Sequence, residues 1–402
     1  MKKNNRIIRI NNKTMIVTIL ICLAVFLSAC GKNKTETVTL YGWGGDERVN
    51  AYISDVLAPY VLENTGVKLV HVPMDAVDFM AKLADETKAG AGSDIDLLWI
   101  NGENFYSAYN NGLLYGPFTD KLENLEKYTD ESSAKTDFGY PTNGFEAPWG
   151  RAQFVLFYDS AKVATPPSNA AELKEYVKAN PGVFTYPVAD DFTASAFIRT
   201  LLYELVGYEK LNSLSNDYDT VKTAIQPVID YLREIGPYLW KEGRTYPSSS
   251  TQLESLYADG EILFSMDYSA NKALSMVSGG LWPASTKTFV PEKGTPFNTH
   301  FLAIAGVSSH KEAAIKVINA ALSPQMQIKK ADLTGWADLP VLEYGKLSEQ
   351  DRNALDKAMT PEEKYADNIL TYATLDSHKQ PELRADLVDV IEQIWNDTVL
   401  HE

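Results

Sequence analysis

The alternation of short apolar strands with amphipathic helices constrains the fold more than any other feature of the sequence. Residues 38–41 are β-branched or aromatic and predict a strand, and the apolar residues of 49–60 recur at the spacing of one helical face. Residues 67–72, 78–88 and 94–100 predict a second strand, a second helix and a third strand. Strands that alternate with helices form a parallel sheet covered by helices on both faces.

The loops that follow these strands are the first candidates for a ligand site. Ligands of parallel α/β sheets bind beyond the carboxyl ends of the strands. We therefore expect the loops at Trp43, Asp75 and Asn101 to share one edge of the sheet.

A second α/β unit follows Pro148. Strands are predicted at 153–158, 183–188, 261–266 and 301–305. Helices are predicted to begin at Ser168 and Thr193, and a further helix is predicted at 311–322. No long linker rich in proline or glycine separates the two units, so we expect strands that act as hinges to connect them. The fold class is α/β, with two lobes that are each a mainly parallel sheet flanked by helices.

The first 29 residues predict a lipoprotein signal peptide. Residues 1–14 carry five basic residues and no acid, and an apolar run of 13 residues, 15–27, follows. As a helix this run would measure about 20 Å, which is short of the roughly 30 Å hydrocarbon core of a bilayer. The string Leu-Ser-Ala-Cys-Gly at 27–31 resembles the bacterial lipobox, in which the cysteine is diacylated after cleavage, with palmitate-type chains.

We therefore expect Cys30 to be the lipidated residue and 30–37 to be the lipidated cysteine and its tether. An ordinary signal peptide is the alternative, and it leaves export unchanged. Cys22 and Cys30 are the two cysteines of the chain, so removal of the leader excludes an intramolecular disulfide. The expected location is the outer face of the bacterial cytoplasmic membrane, reached through the lipid anchor alone.

Charge and motif content exclude several function classes. The chain has 53 acidic and 37 basic residues, a net charge of −16, which disfavours a nucleic-acid partner. The five histidines show no metal-ligand spacing, and we expect neither a metal nor a cofactor. Nucleophile-elbow, Walker and dinucleotide motifs are absent from the sequence, so we expect no enzyme and no catalytic residue. A two-carboxylate hydrolase built on a pair such as Asp94 and Asp96 stays as an alternative.

Aromatic, acidic and amide residues follow the predicted strands and form the candidate ligand-binding set. The set is Trp43, Asn101, Glu103, Asn104, Trp149, Asp191, Asp267, Tyr268, Asn271 and Trp336. Each member also has a structural interpretation, because tryptophans pack in cores, Asn101 can form a turn, and Asp191 or Asp267 can cap a helix.

The chemistry of this set favours a cation or a neutral polar ligand. No arginine or lysine is matched to it on the same loops, a cation over a tryptophan face gains about 0.5–2 kcal/mol, and buried carboxylates need a positive partner. An amine or a thiamine-like molecule is the first expectation and a sugar the second. Ferric iron is disfavoured because the sequence has no Tyr-Tyr pair.

Several strings resemble extracellular solute-binding proteins of ABC importers, and more narrowly their YnjB-type branch. For the broad class they are Ala-Asp-Gly-Glu-Ile-Leu-Phe at 258–264 and the strand at 301–305. For the YnjB-type branch they are Gly-Trp-Gly-Gly at 42–45, Val-Pro-Met-Asp-Ala at 72–76, Trp-Ile-Asn-Gly-Glu-Asn-Phe at 99–105, 112–118 and 146–154. The resemblance implies a type II periplasmic-binding fold, with a small-molecule ligand held between two lobes that crossing strands join. It also implies a membrane permease and a cytoplasmic ATPase as partners, and we expect a monomer.

On the pattern of this family, lobe one comprises 32–148 plus 266–306, and lobe two comprises 149–265 plus 307–402. A ligand that touches both lobes would bind the closed state better and so drive closure. A non-transport lipoprotein scaffold is a further alternative; it predicts no small-molecule ligand.

Overall fold

Strands and helices alternate over most of the chain. The structure, a computed structural model, describes residues 35–44, 47–90 and 94–400. Its strands are β1 (Thr37–Gly42), β2 (Lys68–Pro73), β3 (Leu97–Ile100), β4 (Leu114–Tyr115), β5 (Thr136–Asp137), β6 (Tyr140–Pro141), β7 (Glu146–Gln153), β8 (Val155–Asp159), β9 (Phe264–Asp267), β10 (Thr286–Phe289), β11 (Thr295–Ala305) and β12 (Lys379–Pro381).

The α-helices are distributed along the whole described chain. They are α1 (Glu47–Ala51), α2 (Ala58–Thr65), α3 (Ala76–Ala89), α4 (Gly102–Asn110), α5 (Glu123–Tyr128), α6 (Glu131–Lys135), α7 (Ala170–Ala179), α8 (Phe192–Leu205), α9 (Tyr208–Asn212), α10 (Tyr218–Ile235), α11 (Ser250–Ala258), α12 (Lys272–Ser278), α13 (Lys311–Ala321), α14 (Pro324–Ala331), α15 (Glu349–Ala358), α16 (Tyr372–Ser377) and α17 (Ala385–Trp395). π-Helical turns cover Tyr52–Leu57 and Asn396–Leu400, and 3₁₀ turns cover Thr119–Lys121, Gly236–Tyr238, Trp240–Gly243, Tyr344–Lys346 and Glu363–Tyr365. In the described part of the chain, none of the helices combines the length and the apolar character needed to cross a bilayer.

The first sheet is mixed and contains the three strands that the sequence predicts. Its order is β12-β11-β3-β1-β2, with β4 and β7 also paired to β11. β1 runs parallel to both β2 and β3, so the carboxyl ends of these three strands lie at one edge. The expectation that the loops at Trp43, Asp75 and Asn101 share an edge is confirmed.

The second sheet differs from the expected parallel arrangement. Its order is β10-β8-β9, and both strand pairs are antiparallel. The predicted strand at 183–188 forms no ladder: the carbonyls of Val183 and Phe184 accept from Leu263 and Trp240, and the Val188 N–H donates to Pro247. These backbone groups pair with three separate segments, and Pro187 has no N–H to donate, so the apolar run is extended without becoming a ladder strand.

Two long strands connect the sheets. β7 and β11 pair antiparallel from Gln153 opposite Phe297 to Glu146 opposite Ala303. β7 then continues through Phe154 into β8 of the second sheet, while β11 also pairs with β3 of the first. The expected crossing strands are therefore present, and Trp149 lies on one of them.

Three apolar clusters surround the two sheets. Two cover the faces of the first sheet, and a larger one joins the second sheet to α8, α10 and α17. Helix α13, assigned above to lobe two, packs in a cluster of the first sheet, while β9 and β10, assigned mostly to lobe one, lie in the second sheet. Sequence periodicity shows that α13 has an apolar face, but not which sheet that face covers.

Candidate functional site

Four tryptophans meet at the carboxyl edge of the first sheet. The ring of Trp99, on β3, lies 6.1 Å from that of Trp43, 5.1 Å from that of Trp149 and 5.4 Å from that of Trp336, between ring centroids. We call Trp43, Trp99, Trp149 and Trp336 the tryptophan cluster. The structure thus brings three predicted residues together around Trp99, which the prediction missed although it directly precedes Ile100 and Asn101 at the same strand end.

A buried lysine already occupies the inner side of this cluster. Nζ of Lys330 lies 5.2 Å from the Trp149 ring centroid and 5.4 Å from that of Trp336, and it donates to the Trp149 carbonyl. It also pairs with Asp338 at 2.8 Å, while Nε2 of His300 lies 3.2 Å from the other oxygen of that carboxylate. Burial lowers the pKa of Lys330. Burial alone would raise the pKa of Asp338, but Lys330 and His300 outweigh it and hold this pKa below its ordinary value.

The members of the tryptophan cluster therefore differ in their access to a ligand. Trp149 is 0% exposed and packs between Trp99, Trp336 and the Lys330 ammonium, contacts that support its packing interpretation. Trp43 is 50% exposed. Trp336 lines a cavity of about 760 Å³, a size typical of small-molecule sites.

One of the three predicted amides, Asn271, also lines this cavity beside Trp336. It donates its side-chain N–H to the carbonyl of Ala337 at 2.9 Å. Charged residues of both signs share the lining: Arg48, Lys329, Lys357, Asp332 and Glu362. The cavity therefore favours a polar solute without selecting the sign of its charge.

A second group of polar side chains is buried around Tyr268. The Tyr268 hydroxyl donates to Glu382 and accepts from Nη2 of Arg199 at 2.9 Å. Nε of Arg199, on α8, lies 3.1 Å from Oε2 of Glu382, and both side chains are buried. The Tyr268 ring stacks on Phe192 with centroids 4.6 Å apart. Sequence reasoning found Tyr268 but missed both of its charged partners, which lie far from it in the chain.

Two more buried acids continue this polar group toward the first sheet. Asp137 ends β5, and its carboxylate accepts from the Gly102 N–H at the start of α4. Glu146 begins β7 and is completely buried. Burial and then the charge of Glu382 raise the pKa of Asp137, and burial and then the charge of Asp137 raise the pKa of Glu146. We call Asp137, Glu146 and Glu382 the carboxylate trio.

Most of the other predicted residues have local structural roles. Asp191 caps α8 by accepting from the N–H groups of Thr193 and Ala194, and its second oxygen accepts from Ser250. Asp267 accepts from the Ser269 N–H in its own turn. Asp191 is thus the N-cap of α8, whereas Asp267 closes a turn after β9 and the helix that follows has Asn271 at its N-cap position.

Asn101 and Asn104 stay close to the tryptophan edge. Asn101 is the residue before α4, Asn104 lies in its first turn, and both are half-buried. The side chain of Glu103 lies outside the described part of the chain, as does Cys30. Within the described ranges, no three His, Cys, Asp or Glu side chains form a group that could hold a metal ion.

Comparison with known proteins identifies the family. The profile of a family described as bacterial extracellular solute-binding protein matches residues 56–380. The chain belongs to this family. Protein YnjB of Escherichia coli (strain K12) is 33% identical over 332 residues, which cover 81% of this chain and 84% of that protein.

Solved structures place this solute-binding protein in a known fold. An ABC transporter from Clostridium perfringens ATCC 13124 superposes with a TM-score of 0.65 at 17% identity, covering 90% of this chain and 99% of that one. The spermidine/putrescine ABC transporter substrate-binding protein PotD from Streptococcus pneumoniae gives 0.61 at 16% identity, over 89% and 98%. The resemblance to extracellular solute-binding proteins of the YnjB type and the type II periplasmic-binding fold class are confirmed.

Proposed function

We propose that this protein captures a small polar or cationic solute between two lobes and delivers it to the permease and ATPase of an ABC importer. The observation that carries the proposal is the polar group that links the two sheets. Arg199 lies on α8 and Tyr268 follows β9, both packed around the second sheet, whereas Glu382 follows β12 and Glu146 begins β7, which are strands of the first sheet. Asp137 ends the first strand of the separate β5–β6 hairpin. A solute held there would contact both sides.

An amine or a thiamine-like cation is the preferred solute, and a sugar is the second candidate. The carboxylate trio contains three acids, and the Arg199 guanidinium pairs with one of them, Glu382, so a cation could bind at the other two. A structural neighbour described as a spermidine/putrescine binding protein is consistent with this preference. A sugar could use the cavity beside Trp336 through stacking and amide hydrogen bonds.

Closure would follow from the different affinities of the open and closed states for the solute. A shift from 1:99 to 99:1 closed requires about 5.5 kcal/mol of preference, and a micromolar ligand supplies about 8 kcal/mol in total. The crossing strands β7 and β11 are the proposed hinge, and the closed form would dock on the permease as a monomer.

We further propose that the protein is exported, anchored through a lipid on Cys30 and without enzymatic activity. The basic and apolar pattern of 1–29 and the extracellular nature of the family support export. Metabolic labelling with a fatty acid tests the anchor: Cys30→Ala should lose the label and leave the membrane fraction. Retention of the label in this variant would contradict the lipidation site.

A ligand screen tests the function directly. Thermal shifts are measured with amines, thiamine and sugars, and a solute that stabilises the protein is recovered and checked by mass spectrometry. Solute capture predicts a stabilising compound that is recovered unaltered. Chemical conversion of the compound would instead support the secreted two-carboxylate hydrolase, and the absence of any stabilising solute would support the scaffold.

A further inference from the structure

Glu146 is a buried acid that forms neither an ion pair nor a hydrogen bond with the part of the chain that the structure describes. Its side chain is 0% exposed at the start of crossing strand β7, and among the described residues neither carboxylate oxygen has a hydrogen-bond partner. A buried carboxylate is costly unless it is paired, hydrogen-bonded or protonated. The Glu146 carboxylate can therefore still accept hydrogen bonds or pair with a cation.

The negative charges near Glu146 favour a positively charged binding partner. The charge of Asp137 raises the pKa of Glu146, and the charge of Glu382 raises the pKa of Asp137. Glu146 and Asp137 therefore each lie near a like charge. Arg199 compensates Glu382 through its ion pair at 3.1 Å. Asp137 accepts from the Gly102 N–H, and within the described ranges neither Asp137 nor Glu146 is ion-paired with a lysine or arginine.

We propose that Glu146 and Asp137 form an ammonium subsite that binds a protonated amino group of the transported solute. This inference rests on the proposed function and specifies its substrate class. A polyatomic ammonium fits better than a metal ion, because no three acidic, histidine or cysteine side chains in the described ranges are grouped as metal ligands. An alkylammonium donates three hydrogen bonds and matches unpaired carboxylate oxygens.

Binding should change the protonation of the site in a defined way. Without solute, burial and the charge of Asp137 raise the pKa of Glu146 and so favour its protonated carboxyl. When an ammonium enters, it retains its own three protons, and the Glu146 carboxyl releases one proton to solvent and becomes a carboxylate. Binding of an amine is therefore coupled to net proton release, whereas binding of a neutral solute is not.

Titration calorimetry tests the subsite with paired probes. Butylamine and 1,4-diaminobutane are compared with butanol and 1,4-butanediol, at neutral pH in two buffers of different ionisation enthalpy. For the wild-type chain we expect an amine to bind at least tenfold more tightly than its alcohol, with buffer-dependent heat that reports proton release. In Glu146→Gln both the preference and the proton release should disappear. Asp137→Asn should also weaken amine binding.

Glu126→Gln is the matched control, because Glu126 is exposed and the substitution is chemically identical. The ammonium subsite is wrong if no amine of the panel binds, or if Glu146→Gln binds amines with wild-type affinity and proton release. If amines fail while a sugar or thiamine from the stability screen binds both proteins equally, solute capture stands and the subsite alone is refuted. If no compound binds the wild-type chain, the proposed function fails as well.

Discussion

The ion pair between Lys330 and Asp338 is the most consequential buried charge near the tryptophan cluster. Lys330 is fully buried, and Asp338 is its pairing partner at 2.8 Å. Removing one member of a buried pair leaves an uncompensated charge and costs about 3–5 kcal/mol. We expect Lys330→Met to lower the free energy of unfolding by about 3 kcal/mol, because the pairing of Asp338 with His300 compensates only part of the loss.

Urea unfolding of this variant is the appropriate measurement. The control is Lys364→Met, which removes the charge of a lysine that is 62% exposed and should leave the unfolding midpoint close to that of wild type. A Lys330→Met variant as stable as the control would show that the pair contributes nothing to folding.

The protonation of Glu146 should also be visible in stability without any ligand. Burial and then Asp137 raise the pKa of Glu146 above its ordinary 4.5. The folded state then binds more protons than the unfolded state, so this group lowers the free energy of unfolding as pH rises above about 4.5. We expect Glu146→Gln to be more stable than wild type at pH 7, because wild type loses about 1.4 kcal/mol for each pH unit above 4.5 over which folded Glu146 keeps its proton and unfolded Glu146 does not.

Chemical unfolding between pH 4 and 8 measures this difference. The gap between Glu146→Gln and wild type should close as the pH falls toward 4, because wild-type Glu146 is then protonated in both states. Glu126→Gln should run parallel to wild type at every pH. A constant gap across the range would mean that the substitution acts through packing instead of charge.

Sequence reasoning reached the aromatic residues of the site but not its buried charges. Trp43 and Trp336 were identified because they follow strands or glycines, and such positions are visible in a linear pattern. Glu146, Asp137 and Arg199 were missed because burial of a charged side chain depends on which distant segments cover it. The one available signal for Glu146 is an acid within the run Phe-Glu-Ala-Pro-Trp at 145–149.

The hairpin formed by β5 and β6 packs against the start of α4. Gly102, the first residue of α4, has a φ of +55°, and a Cβ there would lie 3.0 Å from the ring of Phe138. Gly102→Ala should therefore cost more than the roughly 1 kcal/mol of a left-handed alanine, because it also displaces the hairpin. Thermal or urea unfolding measures this cost.

Gly112 offers a matched control on the C-terminal side of the same helix. Its φ is +66°, and a Cβ there would meet nothing within 4 Å, so Gly112→Ala isolates the backbone penalty. Of the two variants, only Gly102→Ala should also weaken solute affinity. Equal stability and equal affinity in the two variants would show that the contact with Phe138 has no role in the site.

At the level of elements, the first sheet was predictable and the second was not. The first sheet follows from periodicity and from the rule that alternating strands and helices build parallel sheets, and its three parallel strands match the prediction. The antiparallel β10-β8-β9 sheet depends on pairings between residues more than 100 positions apart, such as Tyr158 with Phe264. Periodicity carries no information about such partners.

For the whole molecule, the contact between Phe138 and Phe192 bears on closure. Phe138 lies in the hairpin next to β7, and Phe192 opens α8 on the second-sheet side. The two rings are 6.4 Å apart, and Phe192 also stacks on Tyr268. Because Phe192 is nevertheless 48% exposed, its removal should affect closure more than folding.

We expect Phe192→Ala to bind the transported solute about 2- to 12-fold more weakly, since an aromatic pair contributes about 0.5–1.5 kcal/mol. Its unfolding midpoint should stay within the range of ordinary surface variants, and small-angle scattering should show a smaller solute-induced decrease in radius of gyration than wild type. Leu281→Ala, which truncates another exposed apolar side chain (61%), is the control and should close normally. If Phe192→Ala lost affinity while its solute-induced compaction equalled that of wild type, the ring would act on the solute directly, and closure would have to be driven by the buried polar group alone.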